Sequence, residues 1–439
     1  MRNKTLLTLA LSAVMISQAQ AEVSDAVIES SFYPYKNGVP SFPGLSAGMT
    51  INQGNVDQFK DALDPAMYSF IKNGDTELKV GETTDFVLDE SYIEATRKYS
   101  SGVTLGAGHG EISETVAGRP FPEEPKMDDP RAGEKMAWNF KYGYNWGDSA
   151  SIYPFYWRYR DMGSGKVERT LKFNFHFLNF SHRTQYEPYP AITPNPSNFF
   201  RSTYGEVLEP YDLKNTQLLI HRFEDDTKLD NVYLYLGFQR RVRRLSSGQT
   251  TDAFLGSDLM IEDFEGYNGR ISDMNWTFKG AKNILMPMYN HNTLANYDTE
   301  IHPDDADGFK MVAFSGKGGC FPEITWQLRK VYVLESDPVD ENHPISKRVH
   351  FIDAQTYTIP RTIAYDRKGD LWRSFTIGQA HPDHHLPVNK GTGVSIDDSF
   401  SMVDVQANHC TTGQFKGIVD PKLSPVDKFT VQNMRATGK

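Results

Sequence analysis

Two neighbouring segments with an aromatic ring at every second position constrain the fold of this chain most strongly. The alternating rings in residues 152–160 and 171–177 are Tyr153, Phe155, Trp157, Tyr159, Phe173, Phe175 and Phe177. Because side chains alternate between the two faces of a strand, each segment predicts a β-strand with one aromatic face. The glycine-containing stretch 162–166 between them predicts a hairpin turn.

Further segments extend this pattern and predict a mainly antiparallel α+β fold. Additional strands are predicted at residues 83–88, 217–223, 231–238, 271–278, 326–335, 347–353, 358–366 and 371–377. Their spacing is typical of hairpins and meanders, not of repeating βαβ units. Apolar residues at helical spacing predict helices over 56–72, with a kink or break at Pro65, and over 92–100 and 131–142.

The remaining segments have no strong periodicity. Residues 22–55 are rich in Gly, Pro and Ser and predict an irregular N-terminal segment, and residues 186–210 predict a long proline-rich loop. After residue 378 the pattern weakens, which predicts a loop-rich tail over 379–439. Because no clear linker and no repeat of fixed length occurs, we expect one elaborated domain over residues 22–439.

The first residues have the composition of a targeting segment. Arg2 and Lys4 precede a short apolar core at residues 6–16, and Ala19-Gln20-Ala21 matches an A-x-A cleavage site. We therefore expect a signal peptide over residues 1–21 and a soluble exported protein, with the periplasm as the expected compartment. No cysteine follows the cleavage site, so the pattern does not predict a lipoprotein.

Charge and cysteine content narrow the partners and the compartment. The formal net charge of −10 argues against a nucleic-acid partner and against simple attraction to anionic lipid. The chain has two cysteines, Cys320 and Cys410. In an oxidising compartment two cysteines favour one disulfide, although two separate buried thiols remain the alternative.

The aromatic strands allow two interpretations. The rings either fill an ordinary β core or line an apolar cavity on one sheet face. The candidate lining residues are the rings of the two opening segments together with Tyr233, Tyr235 and Trp276. The pattern alone does not separate these interpretations.

Three short motifs suggest catalysis or a cofactor, and each has a simpler interpretation. Gly44-Leu45-Ser46-Ala47-Gly48 matches G-x-S-x-G, but the preceding prolines do not predict the strand that a nucleophile elbow needs. The glycines of 106–110 lack the ending of a phosphate-binding loop. The His381–His385 loop has metal-ligand chemistry and needs further ligands, for which His350, Asp404 and His409 are the candidates. A surface loop is the simpler interpretation, and we expect neither a metal, nor a cofactor, nor an enzyme.

A block of opposite charges lies between two predicted strands. Arg240, Arg241, Arg243 and Arg244 precede a group of acids that includes Asp258, Glu262 and Asp263. Four like charges this close repel each other, so either the acids or an anionic partner should offset them. We expect internal ion pairs within a unit made of a strand, a short helix near 258–264 and a return strand. Docking to an acidic partner and binding of an anionic headgroup remain the alternatives.

The same block carries a family resemblance. RRVRRL at 240–245, TDAFLGSD at 251–258 and IEDF at 261–264 resemble the signature of a large family of LolA-like periplasmic proteins, often described as outer-membrane lipoprotein-sorting proteins. Residues 55–74, 116–122, 326–335 and 347–372 also match, so the resemblance covers most of the chain after residue 21.

The resemblance implies a fold and a function. The implied fold is a strongly curved antiparallel half-barrel with helices covering its concave face and a lipid or acyl chain bound between them. The implied function is a non-enzymatic carrier that moves a hydrophobic molecule between an inner-membrane RND-type (MMPL-like) exporter and the outer membrane. The chain is much longer than true lipoprotein carriers, which favours a lipid-like cargo over a lipoprotein. An exported hydrolase or metal-dependent enzyme and an envelope interaction protein are the competing hypotheses.

Overall fold

A computed structural model describes residues 22–237, 239–245, 251–301 and 308–438. The strands in these ranges are β1 Thr50–Ile51, β2 Leu78–Val80, β3 Thr104–Leu105, β4 Ile112–Ser113, β5 Ser149–Asp161, β6 Val167–Asn179, β7 Phe199–Glu209, β8 Gln217–Phe223, β9 Asn231–Leu236, β10 Arg241–Arg244, β11 Met274–Met286, β12 Met288–Tyr289, β13 Phe314–Ser315, β14 Phe321–Pro322, β15 Thr325–Pro338, β16 Ile345–Asp353, β17 Arg361–Asp366, β18 Leu371–Ala380, β19 Ile396–Asp404 and β20 His409–Ile418. The helices are α1 Asp25–Phe32, α2 Pro65–Lys72, α3 Glu90–Tyr99, α4 Ala132–Lys141 and α5 Val431–Thr437. No helix in the described ranges has the length and apolar composition needed to span a bilayer.

One large open sheet organises the molecule. Its strand order is β1-β2-β15-β16-β17-β18-β19-β20-β5-β6-β7-β8-β9-β10, with β11 paired to β15 and β12 to β18. From β15 to β10 every neighbouring pair in this order is antiparallel. The predicted mainly antiparallel α+β fold is therefore confirmed.

The sheet is strongly curved. Ile220 on β8 and Phe375 on β18 line the same cavity, although five strands separate them in the sheet order. Six strand spacings of a flat sheet would place β8 and β18 about 29 Å apart. A single small cavity reaches both strands only because the sheet bends around it.

Several predicted elements form where periodicity placed them. The two aromatic segments become β5 and β6, which pair as an antiparallel hairpin. The predicted 56–72 helix is interrupted at Pro65, as expected: residues 56–62 form a 3₁₀ helix, and α2 begins at Pro65 with Asp64 as its N-cap. The helices predicted over 92–100 and 131–142 are α3 and α4.

The prediction of irregular structure was wrong for three segments. The 22–55 segment contains α1, the 186–210 segment contains all of β7, and the 379–439 tail contains β19 and β20. The strands of the tail were missed because much of their buried face is polar: Ser399, Ser401, Thr411 and Thr412 are all buried. Conversely, the strand predicted over 83–88 does not form, and Thr84 instead donates its backbone N–H to the Gln327 side chain, at 3.0 Å.

Buried ion pairs fix the N-terminal segments to the sheet. The Arg361 guanidinium, fully buried on β17, contacts both carboxylate oxygens of Asp64, with Nε–Oδ2 at 2.9 Å and Nη2–Oδ1 at 2.8 Å. The same carboxylate accepts the first free N–H groups of α2, from Ala66 and Met67. Asp64 therefore satisfies a helix end and neutralises a buried cation at once.

The predicted disulfide is confirmed. Cys320 and Cys410 are bonded, and their Cα atoms are 6.0 Å apart. The bond links the segment before β14 to β20, across 90 positions of the sequence.

Candidate functional site

An apolar cavity of about 70 Å³ lies on the concave face of the sheet. Its walls come from β5 to β8 and from β18 to β20, and its roof comes from residues 253–268, which we name the cover segment. The lining residues are Trp146, Ile152, Phe155, Trp157, Phe175, Phe177, Thr203, Ile220, Leu259, Phe264, Glu265, Asn268, Phe375, Ile377, Asp397, Phe400 and Phe415. Nine of these seventeen side chains are phenylalanine or tryptophan rings, so the interior is mostly aromatic.

Ring packing explains why the cavity is small. Phe155 lies 4.6 Å from Phe415, and Trp157 meets Phe400 edge to face, with ring centroids 5.3 Å apart. Drug-sized ligands usually occupy pockets of about 300–1,000 Å³. The closed cavity is therefore too small for such a ligand unless the rings or the cover segment move.

The cover segment is built from two 3₁₀ turns, Phe254–Gly256 and Ile261–Gly266. The ring centroids of Phe254 and Phe264 lie 5.7 and 6.2 Å from that of Trp157. Leu255 and Glu265 have left-handed backbones, with φ of 52° and 58°. Two non-glycine residues in this region indicate that tertiary contacts, not local preference, hold the segment in place.

Buried ion pairs anchor the cover segment to the sheet. Glu262 accepts from Nη1 of Arg348 at 2.6 Å, and Asp263 accepts from Nη2 of the same guanidinium at 3.0 Å. Burial alone would raise the pKa of Glu262, but Arg348 and His343 outweigh it and lower that pKa to about 2. Glu262 therefore remains ionised at neutral pH, and the Arg348 guanidinium holds the middle of the cover segment through both carboxylates.

One end of the cavity is polar. Thr203, Glu265, Asn268 and Asp397 line it. Glu265 forms an ion pair with Arg201 on β7, at 3.0 Å. Burial, reinforced by the nearby Glu265 carboxylate, raises the pKa of Asp397 to about 8. A carboxyl group that keeps its proton at neutral pH donates a hydrogen bond, so this end presents a donor beside an ion pair.

The structure brings together four of the ten predicted lining residues. Phe155, Trp157, Phe175 and Phe177 line the cavity, and Phe173 packs against Trp157 behind them. The other five lie elsewhere: Tyr153 is exposed, Tyr159 donates its hydroxyl to the carbonyl of Leu255, Tyr233 and Tyr235 pack with α5, and Trp276 packs against Tyr267. These five residues do not line this cavity.

Local register explains part of this difference. The β5–β6 pairing shifts between Ile152 and Phe155, so the residues that face the cavity change from even to odd numbers at this bulge. Tyr153 therefore does not share the face of Phe155. The lining residues of β19 and β20 were missed because these segments were not predicted as strands. On β18, the alternation of Phe375 and Ile377 could have indicated that both side chains lie on the same face of the sheet.

The charge block does not pair internally, so the expectation of ion pairs between its arginines and acids was wrong. The arginines form β10 and the turn before it, on the outer edge of the sheet. The acids belong to the cover segment and face inward, where Asp258 contacts His409 at 2.7 Å and Glu262 and Asp263 contact Arg348. Buried carboxylates require buried cations, whereas exposed arginines remain hydrated.

The two glycine motifs do not form the sites that their patterns suggested. Ser46 lies exposed in a turn before β1, and no buried parallel strand leads into it, so the nucleophile elbow is not formed. Residues 106–110 connect the short antiparallel strands β3 and β4, and no helix follows to receive a phosphate.

The histidine loop contributes one residue to a buried cluster. His385 Nε2 lies 3.7 Å from Oδ2 of Asp398, and His291 Nδ1 lies 2.7 Å from the same oxygen. These three residues have the composition of a zinc site. The ligands suggested from sequence lie elsewhere: His350 contacts Ser336 and Thr362, His409 contacts Asp258, and Asp404 accepts from Trp372.

Asn389 decides the chemistry of this cluster. Its Oδ1 accepts from the Val419 N–H at 2.9 Å and its Nδ2 donates to the Gly417 carbonyl at 2.9 Å, which fixes the orientation of the amide. Nδ2 must therefore also donate to Nδ1 of His385, at 2.9 Å. The proton of the neutral imidazole then lies on Nε2, which faces Asp398 and has no free lone pair for a metal. Asp398 is hydrogen-bonded to His291 and to the Tyr289 hydroxyl, whereas Nε2 of His385 is buried and, within the described residues, has no hydrogen-bond partner.

Comparison with known proteins identifies relatives across most of the chain. The uncharacterized protein PA3922 of Pseudomonas aeruginosa is 26% identical over 365 residues, covering 80% of this chain and 71% of that protein. Similar solved structures are a DUF1329 family protein from Desulfovibrio piger and a putative outer membrane lipoprotein-sorting protein domain from Vibrio parahaemolyticus. Each is 17% identical, has a TM-score of 0.47 and covers 70% of this chain, and the matches span 99% and 100% of the respective solved chains.

A family model extends over almost the whole described chain. The model of DUF1329, described as a protein of unknown function, matches residues 50–435. This range includes the cavity, the cover segment and both ends of the large sheet. The chain therefore belongs to the DUF1329 family.

Proposed function

We propose that the protein is a non-enzymatic carrier that binds a lipid or another hydrophobic molecule between the concave sheet face and the cover segment. The observation that carries this proposal is the aromatic cavity with a single polar end. Removing an acyl chain from water is favourable by about 0.8 kcal/mol for each CH₂ group. An aromatic interior supplies that apolar environment, while Asp397 and the Arg201–Glu265 pair offer hydrogen bonds to a headgroup.

Loading requires a larger cavity than the closed one. The cover segment is the element best suited to move, because Gly256 and Gly266 end its two turns and Leu255 and Glu265 hold strained backbones. Displacing Phe254 and Phe264 would expose rings of β5 and β6 to an incoming chain. Non-directional contacts with rings also permit release, which a carrier needs.

We propose the periplasm as the site of action, with cargo passing between an inner-membrane RND-type exporter and the outer membrane. The composition of residues 1–21 supports export, and the sequence resemblance described above supports the exporter partnership. Both parts are testable independently of the cavity, by fractionation and by crosslinking in cells.

The direct test is to identify what the protein carries. Protein purified from the periplasm of its own host would be analysed by native mass spectrometry, followed by solvent extraction and lipid analysis. We expect a bound apolar molecule in substoichiometric or full amount. Protein that is always empty, and that also fails to bind the fluorescent fatty acid parinaric acid, would contradict the proposal.

A variant locates the binding site. Ile220→Trp places a large ring into the cavity wall, and we expect it to weaken parinaric acid binding at least tenfold while thermal unfolding shows a folded protein. Leu229→Trp is the matched control, because Leu229 is 49% exposed and lies outside the cavity. Equal loss of binding in both variants would place the ligand elsewhere.

A further inference from the structure

The four arginines Arg240, Arg241, Arg243 and Arg244, which we name the arginine edge, form a free border of the large sheet. β10 pairs antiparallel with β9, and within the described ranges no strand pairs with its other side. The register places Arg241 opposite Leu236 and Arg243 opposite Leu234. Cationic and aliphatic side chains therefore alternate between two neighbouring strands on one face of this border.

Within the described residues, no carboxylate neutralises the charges of the arginine edge. All four side chains are exposed, and across the described part of the chain none of them contacts a carboxylate. Arg244 donates instead to the Asn231 side chain. By contrast, the nearby arginines Arg201 and Arg222 pair with Glu265 and Asp230. The cations of the arginine edge are thus left for solvent or for an external partner.

A second turn adds a cation and an exposed ring to the same corner. Gly237 in the β9–β10 turn lies against the Lys214 carbonyl, which would be 2.7 Å from a β-carbon at residue 237. Lys214 belongs to the β7–β8 turn, where Tyr211 is 94% exposed. Asp212 of that turn is already paired with Arg169. The exposed phenol ring of Tyr211 therefore belongs to a turn whose backbone lies against the turn that leads into β10.

We propose that this corner docks onto the surface of an anionic phospholipid bilayer. Arginine binds phosphate bidentately, and tyrosine is favoured at the level of lipid headgroups. The net charge of −10 does not prevent this, because charges more than about 8 Å away are largely screened at physiological salt. An acidic protein would match the charge alone, whereas the protruding Tyr211 ring on the neighbouring turn fits an interface between water and lipid.

Bilayer docking by the arginine edge does not depend on the proposed cargo, because it involves the outer edge of the sheet and not the cavity. It does give a carrier a means of reaching the membrane that supplies or receives its load. A variant that loses bilayer binding but keeps parinaric acid binding would separate the two proposals.

Vesicle co-sedimentation tests the inference on the full chain. Vesicles containing phosphatidylglycerol would be compared with pure phosphatidylcholine vesicles, at low and at high salt. We expect binding only to the anionic vesicles, weakened by salt. Each basic residue near an anionic surface changes the partition coefficient about fivefold, so the Arg241→Gln/Arg243→Gln variant should bind about 25-fold more weakly.

The matched control is Arg367→Gln/Lys368→Gln, which removes two exposed cations from the β17–β18 turn, far along the sheet from β10. This variant should bind like the wild type, and all proteins should show the same unfolding temperature. Equal binding to neutral vesicles, equal loss in both variants or no vesicle binding at all would each overturn the proposal. Arginine-dependent binding to an acidic protein without vesicle binding would also overturn it.

Discussion

Phe400 on β19 lies directly over Gly413, its antiparallel partner on β20, so that a β-carbon at residue 413 would overlap the phenyl ring. Phe175 and Gly205 repeat this relationship across β6 and β7, where the added carbon would be 2.8 Å from the ring. Both rings also line the cavity. The two glycines therefore let the rings lie flat on the sheet, which leaves space above them.

The Gly413→Ala substitution should reduce the volume of the cavity. The added methyl group would push the Phe400 ring toward the interior, and overpacking of this kind costs about 1–3 kcal/mol. We expect lower stability in urea denaturation and weaker parinaric acid binding. Gly54→Ala, at an exposed turn, is the control and should change neither quantity. Unchanged ligand binding in a less stable Gly413→Ala protein would show that Phe400 does not limit the cavity.

Asp397→Asn should alter the pH dependence of stability. The pKa of Asp397 is about 8 in the folded protein, above its ordinary value of 3.8, so the folded state holds this proton more tightly than the unfolded state. Between about pH 4 and pH 8 stability should therefore fall as pH rises, because only the unfolded chain ionises freely. Asparagine resembles the protonated carboxyl and removes this penalty.

Thermal unfolding at pH 5 and pH 9 measures the effect. We expect Asp397→Asn to unfold at a slightly higher temperature than the wild type at pH 5 and at a much higher temperature at pH 9. Asp61→Asn, which removes an exposed carboxylate, controls for net charge. A constant difference at both pH values would contradict the assigned titration.

Asp64→Ala should be among the most destabilising single substitutions in the chain. It would leave the Arg361 guanidinium, which is fully buried, without its carboxylate, and would also remove the α2 cap. Breaking a buried pair in this way costs about 3–5 kcal/mol. Urea denaturation would measure the loss. Asp57→Ala removes the exposed ion pair with Lys72 and should change stability little.

Removing the disulfide should reduce stability without changing the fold. For a loop closed across 90 positions, the chain-entropy account gives about 4–5 kcal/mol. We expect the Cys320→Ala/Cys410→Ala protein to unfold at lower denaturant concentration than the oxidised wild type. The wild type should lose stability when a reductant is added, whereas the variant should not respond. A reductant-sensitive variant would point to another cause.

Sequence periodicity predicted the parts of the fold whose strands have one apolar face. The alternation of Phe173, Phe175 and Phe177 placed all three in the interior, and β8 was predicted with its observed bounds, Gln217–Phe223. Hydrophobic periodicity does not identify strands whose buried side chains are polar, such as β20. The hydroxyl groups of Thr411 and Thr412 are accommodated there by partners far away in sequence. Asp258 supplies one such partner, 2.7 Å from the Thr411 hydroxyl.

The cavity was predicted in part for the same reason. Alternation along a strand predicts which face a side chain occupies only while the pleat is regular. The bulge after Ile152 interrupts the pleat of β5, so the prediction fails for the residues on one side of it. The roof was beyond prediction, because its position depends on Arg348, which is 86 positions from its partner Glu262. Like the arginine edge, the cover segment is defined by what it contacts in three dimensions, and its composition alone suggested a pairing that does not occur.

The Arg361–Asp64 pair also sets an order of events during synthesis. The two residues are separated by 297 positions, and the Gln355 side chain donates to the Phe32 carbonyl across 323. At about 5–20 residues per second, a ribosome needs roughly 15–60 s to extend the chain from Asp64 to Arg361. Through that interval α2 lacks its Arg361 contact and α1 lacks its Gln355 contact, so these bonds between the N-terminal helices and the sheet form only after β17 has been made.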